Sequence, residues 1–338
     1  MRRTRLPQAA LLAWIGLLVL PGCGSRAPHA DPLPSWNDGP TRSAIVQFVQ
    51  DVTEKGGAHY VLPQDRIATF DNDGTLWTEQ PNYAQALFVA DRIRAMAPQH
   101  PEWKTTQPYQ AVLEQGPKGL LSGGMKGLET LLMTTHAGMT TAEFEQIVTD
   151  WIATARHPRF DRPYTEMVYE PMLELLAYLR ANGFKTFIVS AGGIEFMRPW
   201  TERTYGIPPQ QVVGSRIETR YEVRDGKPVL VRLPKVDFID DKDGKPIGIN
   251  AYIGKRPILA FGNSDGDRQM LEWTQGDPKV RARRLMALVH HTDAEREVAY
   301  GPRSKIGTFS DALMKEANER GWLVVDMKRD WKRIFPPE

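Results

Sequence analysis

The sequence predicts an α/β fold in which a doubly wound, Rossmann-like parallel sheet carries a helical insertion. Three observations lead to this prediction. Apolar runs of strand length, such as "RIATF" and "FKTFIVS", end directly in polar residues, as buried parallel strands do. Amphipathic helical segments alternate with these runs, which favours right-handed crossovers between parallel strands. Between the first two strands, residues 80–165 show helical patterns and no convincing strand.

The elements follow in an order that fits this fold. Residues 41–53 form an amphipathic helix ahead of the first strand, "RIATF". In the insertion, Thr140 and Glu143 have the spacing of a capping box, which begins a helix. A further helix that ends at Gly183 leads into "FKTFIVS", a strand that we expect to end at Ser190.

Two more patterns complete the sheet and define the domains. Polarity alternates on both sides of Asp225 and Gly226, which indicates a hairpin. The runs "RPILAFGNSDGD" and "RLMALVHH" each contain one more strand. The chain is therefore predicted to have a core domain, residues 41–79 and 166–338, and an inserted helical domain, residues 80–165.

The first 23 residues are typical of an export signal. A positively charged start precedes the apolar run "AALLAWIGLLVL", which is too short to span a bilayer. Its end resembles the bacterial lipoprotein signal, with Leu20, Gly22 and Cys23 in place and Pro21 as a departure. This resemblance implies a protein that is lipidated on Cys23, anchored to a membrane and facing the periplasm. The alternative is a plain secretory signal and a soluble exported protein.

Residues 24–40 are rich in Pro, Gly and small polar residues and are predicted to form a flexible tether. Cys23 is the only cysteine of the 338 residues, so the folded part is expected to contain no disulfide. Without the signal, 40 basic residues face 41 acidic ones. This balance argues against a nucleic-acid-binding surface, which requires a basic excess.

Polar side chains are concentrated at three predicted strand ends. Because the carboxyl ends of parallel strands lie along one edge of a sheet, these side chains are expected to converge. The group is rich in acids and contains no His or Cys, and such oxygen ligands favour Mg²⁺. Its members are Asp71 and Asp73, then Ser190, then Asn263, Asp265 and Asp267.

In their order, these motifs resemble those of the haloacid dehalogenase superfamily, in particular its phosphoserine-phosphatase-like branch. "DNDGT" resembles the first motif, Ser190 in "IVSAGG" the second, and "GNSDGD" the fourth. The helical segment 80–165 has the place of a cap inserted between the first two motifs. The resemblance covers residues 60–300 and implies a Mg²⁺-dependent phosphomonoester hydrolase that acts on small phosphorylated metabolites, with a phosphoserine-like substrate as one option.

The resemblance also implies catalytic roles. Asp71 would be the nucleophile that forms an aspartyl-phosphate, and Asp73 the general acid and base. Ser190 would donate a hydrogen bond to the phosphoryl group, with Gly192 and Gly193 presenting backbone N–H groups beside it. Two lysines compete for the cation of the third motif: we favour Lys245, at the start of a predicted helix, over Lys255, which precedes a strand.

For the metal, the resemblance implies Asp71, the backbone of Asp73, and the fourth motif. There, Asn263 replaces the usual Asp, and Asp267 matches the second acid. Asp265 is a further candidate ligand because it could replace the lost charge. A calcium-binding loop that starts at Asp71 would need Gly and Glu where the chain has Leu76 and Asn82, which disfavours a non-enzymatic calcium module.

The substrate is less defined. Glu79, just after the first motif, is a candidate for substrate binding, whereas the arginines of the cap, Arg92, Arg94 and Arg156, cannot be ranked. Two alternatives within the superfamily stay open. One is a phosphotransferase, which uses the same nucleophile with another acceptor. The other is a phosphorylcholine phosphatase, in which Trp77, Tyr83 and Trp151 would form an aromatic cage.

Overall fold

The strands of the central sheet lie between helices on both sides. The computed structural model describes residues 31–276 and 283–337. In chain order its strands are β1 Ile67–Phe70, β2 Lys185–Gly193, β3 Val212–Arg224, β4 Lys227–Phe238, β5 Leu259–Gly262, β6 Leu285–His290 and β7 Leu323–Asp326. They form one sheet in the order β4-β3-β2-β1-β5-β6-β7, in which only β3 and β4 are antiparallel. The predicted α/β class with a mostly parallel sheet is confirmed.

Helices connect the parallel strands. They are α1 Pro40–Thr53, α2 Ala84–Met96, α3 Tyr109–Gln115, α4 Gly124–His136, α5 Thr141–Thr154, α6 Glu170–Ala181, α7 Ile194–Tyr205, α8 Gly244–Gly248, α9 Arg268–Gln275, α10 Asp311–Arg320 and α11 Met327–Asp330. A 3₁₀ turn, residues 116–121, joins α3 to α4. Directly after α8, residues 249–253 form one π-helical turn.

The central strands are buried on both faces, which explains why they consist of continuous apolar runs. Alternate side chains point to opposite sides of a strand. In β6, Leu285, Ala287 and Val289 therefore join one apolar core, while Met286 and Leu288 join a second core on the other face. Helices that cover both faces are characteristic of a doubly wound sheet.

The predicted hairpin is present at β3 and β4. Asp225 and Gly226 connect the two strands, with φ angles of 49° and 72°. Positive φ at both positions is the geometry of a two-residue turn that matches the right-handed twist of its strands. This hairpin extends the sheet beyond its parallel part.

Residues 80–165, all of which are described, contribute helices and no strand to the sheet. The capping box is present at the start of α5, because the backbone N–H of Glu143 donates to the Thr140 hydroxyl at 3.1 Å. The helices α2, α3 and α4 share an apolar cluster of their own. It includes Ile93, Trp103 and Leu131, all buried. The division into cap and core remains a prediction.

Three sequence-based boundaries need correction or addition. β2 continues three residues past Ser190, to Gly193. The strand β7 was not predicted. The predicted tether is wrong for its last part, because Leu33 and Trp36 are buried in the main core. The Trp36 indole N–H donates to the Pro171 carbonyl at 2.9 Å, so this segment is fastened to the start of α6.

The predicted signal peptide, residues 1–23, and the lipidation site Cys23 lie outside the described residues, and both remain predictions. So does the first part of the tether, residues 24–30. Within the described ranges, no helix has the length and apolar character needed to cross a membrane.

Candidate active site

The site lies at the carboxyl edge of the sheet, where the central strand β1 ends. Asp71 follows β1 directly, and its backbone N–H donates to the Phe261 carbonyl of the neighbouring β5 at 2.9 Å. This bond holds the backbone of Asp71 in line with the sheet. Its carboxylate points into a cavity and is 8% exposed.

Lys245 joins the ends of three strands. Its ammonium group donates to Asp71 Oδ1 at 2.8 Å, to the Val189 carbonyl of β2 at 2.9 Å and to Asp267 Oδ1 at 2.7 Å. The side chain is 1% exposed and reaches the site from the first turn of α8. Lys255, the rival, pairs instead with Asp65 at the surface. The structure thus brings Lys245, and not Lys255, to Asp71.

Asp73 lies in the tight turn after β1, as the sequence requires if it is to face the same cavity as Asp71. Its Oδ1 accepts a hydrogen bond from the indole N–H of Trp77 at 2.8 Å. Gly74 forms the turn with a φ of 76°, and a Cβ there would lie 2.1 Å from Asn263 Nδ2 and 2.4 Å from Glu79 Oε1. Glycine is therefore required for both the backbone angle and the close packing.

A buried histidine, to which the sequence analysis assigned no role, also stabilises the turn after β1. His291 Nε2 donates to the Gly74 carbonyl at 2.8 Å, and Nδ1 lies 3.2 Å from a carboxylate oxygen of Glu297. Glu297 in turn accepts from the Thr78 hydroxyl at 2.9 Å. Nothing local in the sequence links these residues, since 219 positions separate Thr78 from Glu297.

The second motif places Ser190 in the cavity. Its hydroxyl oxygen accepts from the Gly192 N–H at 3.2 Å, so the hydroxyl hydrogen remains available to donate. The two predicted glycines differ. Gly192 lines this cavity, whereas Gly193 does not, and the Gly193 N–H donates to Gln85 Oε1 at 2.8 Å.

The two acids of the fourth motif point in different directions. Asp267 is fully buried, and its Oδ2 accepts from the backbone N–H groups of Asn263 and Ser264 at 2.9 and 3.0 Å. The Asp265 carboxylate turns toward α10 and accepts from the N–H and hydroxyl of Ser310 at 3.2 and 2.9 Å. Of the two acids, only Asp267 lines the cavity. The side-chain oxygen of Asn263 accepts from Thr75 at 3.0 Å.

Glu79 lies at the far side of the Asp73 turn. It is 2% exposed and accepts from Asn263 Nδ2 at 2.7 Å and from the Tyr300 hydroxyl. Burial raises the pKa of this carboxyl well above its ordinary value. Glu79 lines the cavity as predicted for a substrate-binding residue, but the structure also ties it to the fourth motif.

Burial controls the protonation of the two motif acids. It raises the pKa of Asp71 to about 8, assisted by the negative charge of Asp267 and opposed by Lys245. It raises the pKa of Asp73 to about 6, opposed by the hydrogen bond from Trp77. Burial alone would lower the pKa of Lys245, but the carboxylates of Asp267 and Asp71 outweigh it and raise that pKa.

The donor atoms suit a hard divalent cation. The carboxylates of Asp71, Asp73 and Asp267 outnumber the one ammonium group among them, so a further positive charge would stabilise their ionised forms. In residues 31–276 and 283–337, no three His, Cys, Asp or Glu side chains are already arranged as a metal site. A cation here would therefore also use amide, backbone or water oxygens.

The cavity has a volume of about 360 Å³. Its charged floor, as we name it, consists of Asp71, Asp73, Ser190, Lys245 and Asp267. Its apolar wall consists of Ala86, Val89, Leu120, Leu128 and Leu132, which come from α2, α4 and the turn 116–121.

Two further acids lie near the site, between β4 and α8. Asp241 lines the cavity, while Asp240 is fully buried beside it. Burial raises the pKa of Asp240 to about 7, against the positive charge of Lys245. In the sequence, their position could have identified them: Asp241 and Asp240 lie four and five residues before Lys245.

The aromatic cage of the phosphorylcholine alternative is not formed. Trp77 is fully buried and stacks on Trp200 with ring centroids 4.4 Å apart, and Trp151 packs against Phe88. Tyr83 is the one member of the proposed cage that lines the cavity. The arginines of the cap also point elsewhere: Arg94 pairs with Asp91 and Arg156 with Asp161, and Arg92 is absent from the cavity lining.

The sequence profile of the haloacid dehalogenase-like hydrolases matches residues 68–272, from the first strand to the helix after the fourth motif. The protein belongs to this family. The predicted superfamily and the predicted enzyme class, a hydrolase, are confirmed. Among curated proteins, no sequence matches this hydrolase.

Two solved structures of proteins with unknown function are similar to the hydrolase, and the first of them, with a TM-score above 0.5, supports the same fold. A functionally unknown protein from Anaerococcus prevotii DSM 20548 is 17% identical, with 87% of this chain and 93% of that one covered and a TM-score of 0.55. A protein of unknown function from Bordetella pertussis Tohama I is 18% identical over 78% of this chain and 98% of its own, with a TM-score of 0.48.

A third similar structure has a functional description. It is a phosphoserine phosphohydrolase-like protein from Francisella tularensis subsp. tularensis SCHU S4. It is 18% identical over 66% of this chain and 87% of its own, with a TM-score of 0.36. At this distance the match adds no argument about the substrate of the hydrolase.

Proposed function

We propose that the protein is a Mg²⁺-dependent phosphatase that cleaves small phosphomonoesters through an aspartyl-phosphate. One observation carries this proposal: Asp71, Lys245 and Asp267 meet within hydrogen-bond distance at the strand ends, with Asp73 on the adjacent turn. A nucleophilic carboxylate, a cation that offsets phosphoryl charge and a second acid are the groups that stepwise phosphoryl transfer to water needs.

In this mechanism, a carboxylate oxygen of Asp71 attacks phosphorus and displaces the oxygen of the leaving group. Asp73 gives that oxygen its proton and then takes a proton from the water that hydrolyses the aspartyl-phosphate. A pKa of about 6 suits both tasks near neutral pH. The Ser190 hydroxyl is positioned to donate to a phosphoryl oxygen, and Lys245 offsets the charge of the phosphoryl group.

Mg²⁺ would be held by the carboxylates of Asp71 and Asp267, the backbone carbonyl of Asp73 and the Asn263 amide oxygen, with water completing its shell. Bound there, it would neutralise charge on the phosphoryl oxygens. We leave Asp265 out of this ligand set, because its carboxylate already caps the start of α10 through Ser310.

The test measures hydrolysis of p-nitrophenyl phosphate by the purified protein, with Mg²⁺ and with EDTA. We expect Mg²⁺-dependent turnover, and we expect Asp71→Asn to remove it because an amide is not a nucleophile for phosphorus. Asp65→Asn is the matched control, since Asp65 pairs with Lys255 at the surface, outside the cavity. Phosphate bound to wild type but not to Asp71→Asn, detected by mass spectrometry after rapid acid quenching, would support the intermediate.

Either of two results would contradict the proposal. One is the absence of turnover across a range of metals and pH. The other is steady-state activity of Asp71→Asn close to that of the wild type.

A further inference from the structure

The cavity continues beyond the charged floor into a second, mainly apolar chamber. This chamber has a volume of about 410 Å³ and lies between α4 and the β3–β4 hairpin. It shares Gln85, Leu128, Leu132, Ala191 and Asp241 with the active-site cavity, so the two spaces adjoin. The phosphoryl site therefore opens onto more room than a small hydrophilic leaving group would fill.

The lining offers no positive charge to an anionic leaving group. Among the described lining residues of both spaces, every Lys or Arg is paired with a carboxylate: Lys245 with Asp71 and Asp267, Arg216 with Asp237, and Arg232 with Glu195. A substrate carboxylate would instead lie near Asp73 and Asp241. Like charges in a buried site repel strongly.

Apolar side chains continue from the apolar wall to the surface. Leu121 and Met125, beside Leu120 and Leu128, are 61% and 75% exposed, and Ile239 at the second chamber is 60% exposed. Exposed apolar residues next to an apolar cavity are typical of a ligand-binding surface.

We infer that the substrates of this enzyme are phosphomonoesters of largely apolar alcohols that carry no negative charge, with the phosphoryl group on the charged floor and the alkyl or aryl group along the apolar wall. This inference rests on the proposed phosphatase function and names its substrate class. It excludes phosphoserine, whose leaving group carries a carboxylate.

The test compares kcat/KM of the Mg²⁺-loaded enzyme for ethyl, butyl and hexyl phosphate, O-phosphoserine and phosphoethanolamine. All of these leave as alkyl alcohols of similar reactivity, so the comparison isolates recognition from chemistry. We expect kcat/KM to rise with chain length and to exceed that of phosphoserine by at least about tenfold for hexyl phosphate, because each buried methylene favours binding.

A pair of variants tests whether the alkyl group of the substrate lies along the apolar wall. Leu132→Gln places an amide on the apolar wall, where Leu132 borders both spaces. It should lower the hexyl-to-ethyl ratio of kcat/KM. Leu113→Gln is the control, because Leu113 packs in the apolar cluster of the same helices but lines neither space, and it should keep the wild-type ratio.

The failures of the two proposals are distinguishable. Turnover of ethyl phosphate with phosphoserine or phosphoethanolamine preferred over hexyl phosphate would overturn the inference and leave the phosphatase intact. A hexyl-to-ethyl ratio that Leu113→Gln lowers as much as Leu132→Gln would also overturn it. No turnover of any ester, p-nitrophenyl phosphate included, would overturn the proposed function and this inference together.

Discussion

The charged floor of the cavity is built from strand ends of the sheet, whereas the apolar wall comes from helices inserted between β1 and β2. On the floor, Lys245 alone donates hydrogen bonds to Asp71, Asp267 and the carbonyl of Val189. The wall makes contact only through apolar surface. The difference suggests a division of labour, in which the sheet supplies the chemistry and the insertion selects the substrate.

The largest expected effect comes from a substitution on the charged floor. Lys245→Met should lower kcat/KM by about 10²–10³-fold, because the phosphoryl group loses a pre-positioned cation. It should also lower the free energy of unfolding of the metal-free protein by about 3–5 kcal/mol, since two buried carboxylates lose their partner. Kinetics and urea denaturation measure the two effects.

Lys255→Met is the matched control for this prediction. Lys255 pairs with Asp65 at the surface, and such a pair contributes at most about 1 kcal/mol. If Lys255→Met lost activity while Lys245→Met kept it, the assignment of the third-motif cation would be wrong.

An intermediate effect concerns His136, which borders the second chamber near the wall. Burial lowers the pKa of His136 to about 3, and the positive charges of Arg232 and Arg92 act in the same direction. The folded protein therefore keeps this imidazole neutral, while the unfolded chain protonates it near its ordinary pKa of 6.5. A depressed histidine pKa costs stability as pH falls from about 6.5 toward 3.

We expect this residue to account for about 2 kcal/mol of the stability lost between pH 7.5 and pH 5. His136→Gln should therefore lose less stability than wild type over this interval in urea denaturation. His100→Gln, at a more exposed histidine of the same helical segment, should follow wild type. Equal losses in wild type and His136→Gln would show that another group is responsible.

The smallest expected effect is a difference in kcat between variants of two stacked tryptophans. The Trp77 indole N–H donates to Asp73 at 2.8 Å, and that of Trp200 donates to the Phe196 carbonyl at 2.8 Å. Trp77→Phe should lower kcat by about tenfold through the loss of a hydrogen bond to a charged group. Trp200→Phe, with a comparable loss of packing, should retain most of the wild-type kcat, and thermal unfolding of both variants checks stability. Equal kcat losses would show that packing, and not the bond to Asp73, matters.

Much of the fold could be predicted because its signals are local. The capping box of Thr140 and Glu143 and the turn at Asp225 and Gly226 each involve residues close in sequence. The apolar runs of the parallel strands are equally local, because burial on both faces leaves no room for polar residues. By contrast, Trp36 was assigned to a tether because its partner Pro171 lies 135 residues away.

The candidate site shows the same limit. The sequence placed Asp71, Asp73 and Ser190 at strand ends; β2 extends past Ser190, but the structure brings all three side chains to one cavity. The sequence could not show three side-chain contacts. Gln85 accepts a hydrogen bond from the Gly193 N–H, and Ser310 donates to Asp265, whose carboxylate then points away from the cavity. Trp77 donates to Asp73 instead of facing a ligand. Each of these outcomes depends on where a side chain points after the elements have packed.

By itself, the sequence determined the α/β class, the family and the acids that follow β1, because periodicity and motif spacing are properties of short segments. Tertiary structure alone decided that Lys245 reaches Asp71 from 174 residues away and that leucines of the insertion form the wall opposite it. The physical reason is that strand ends and inserted helices meet only when the chain crosses back over the sheet. The packing of these elements then determines which side chains are in contact and which charges are paired.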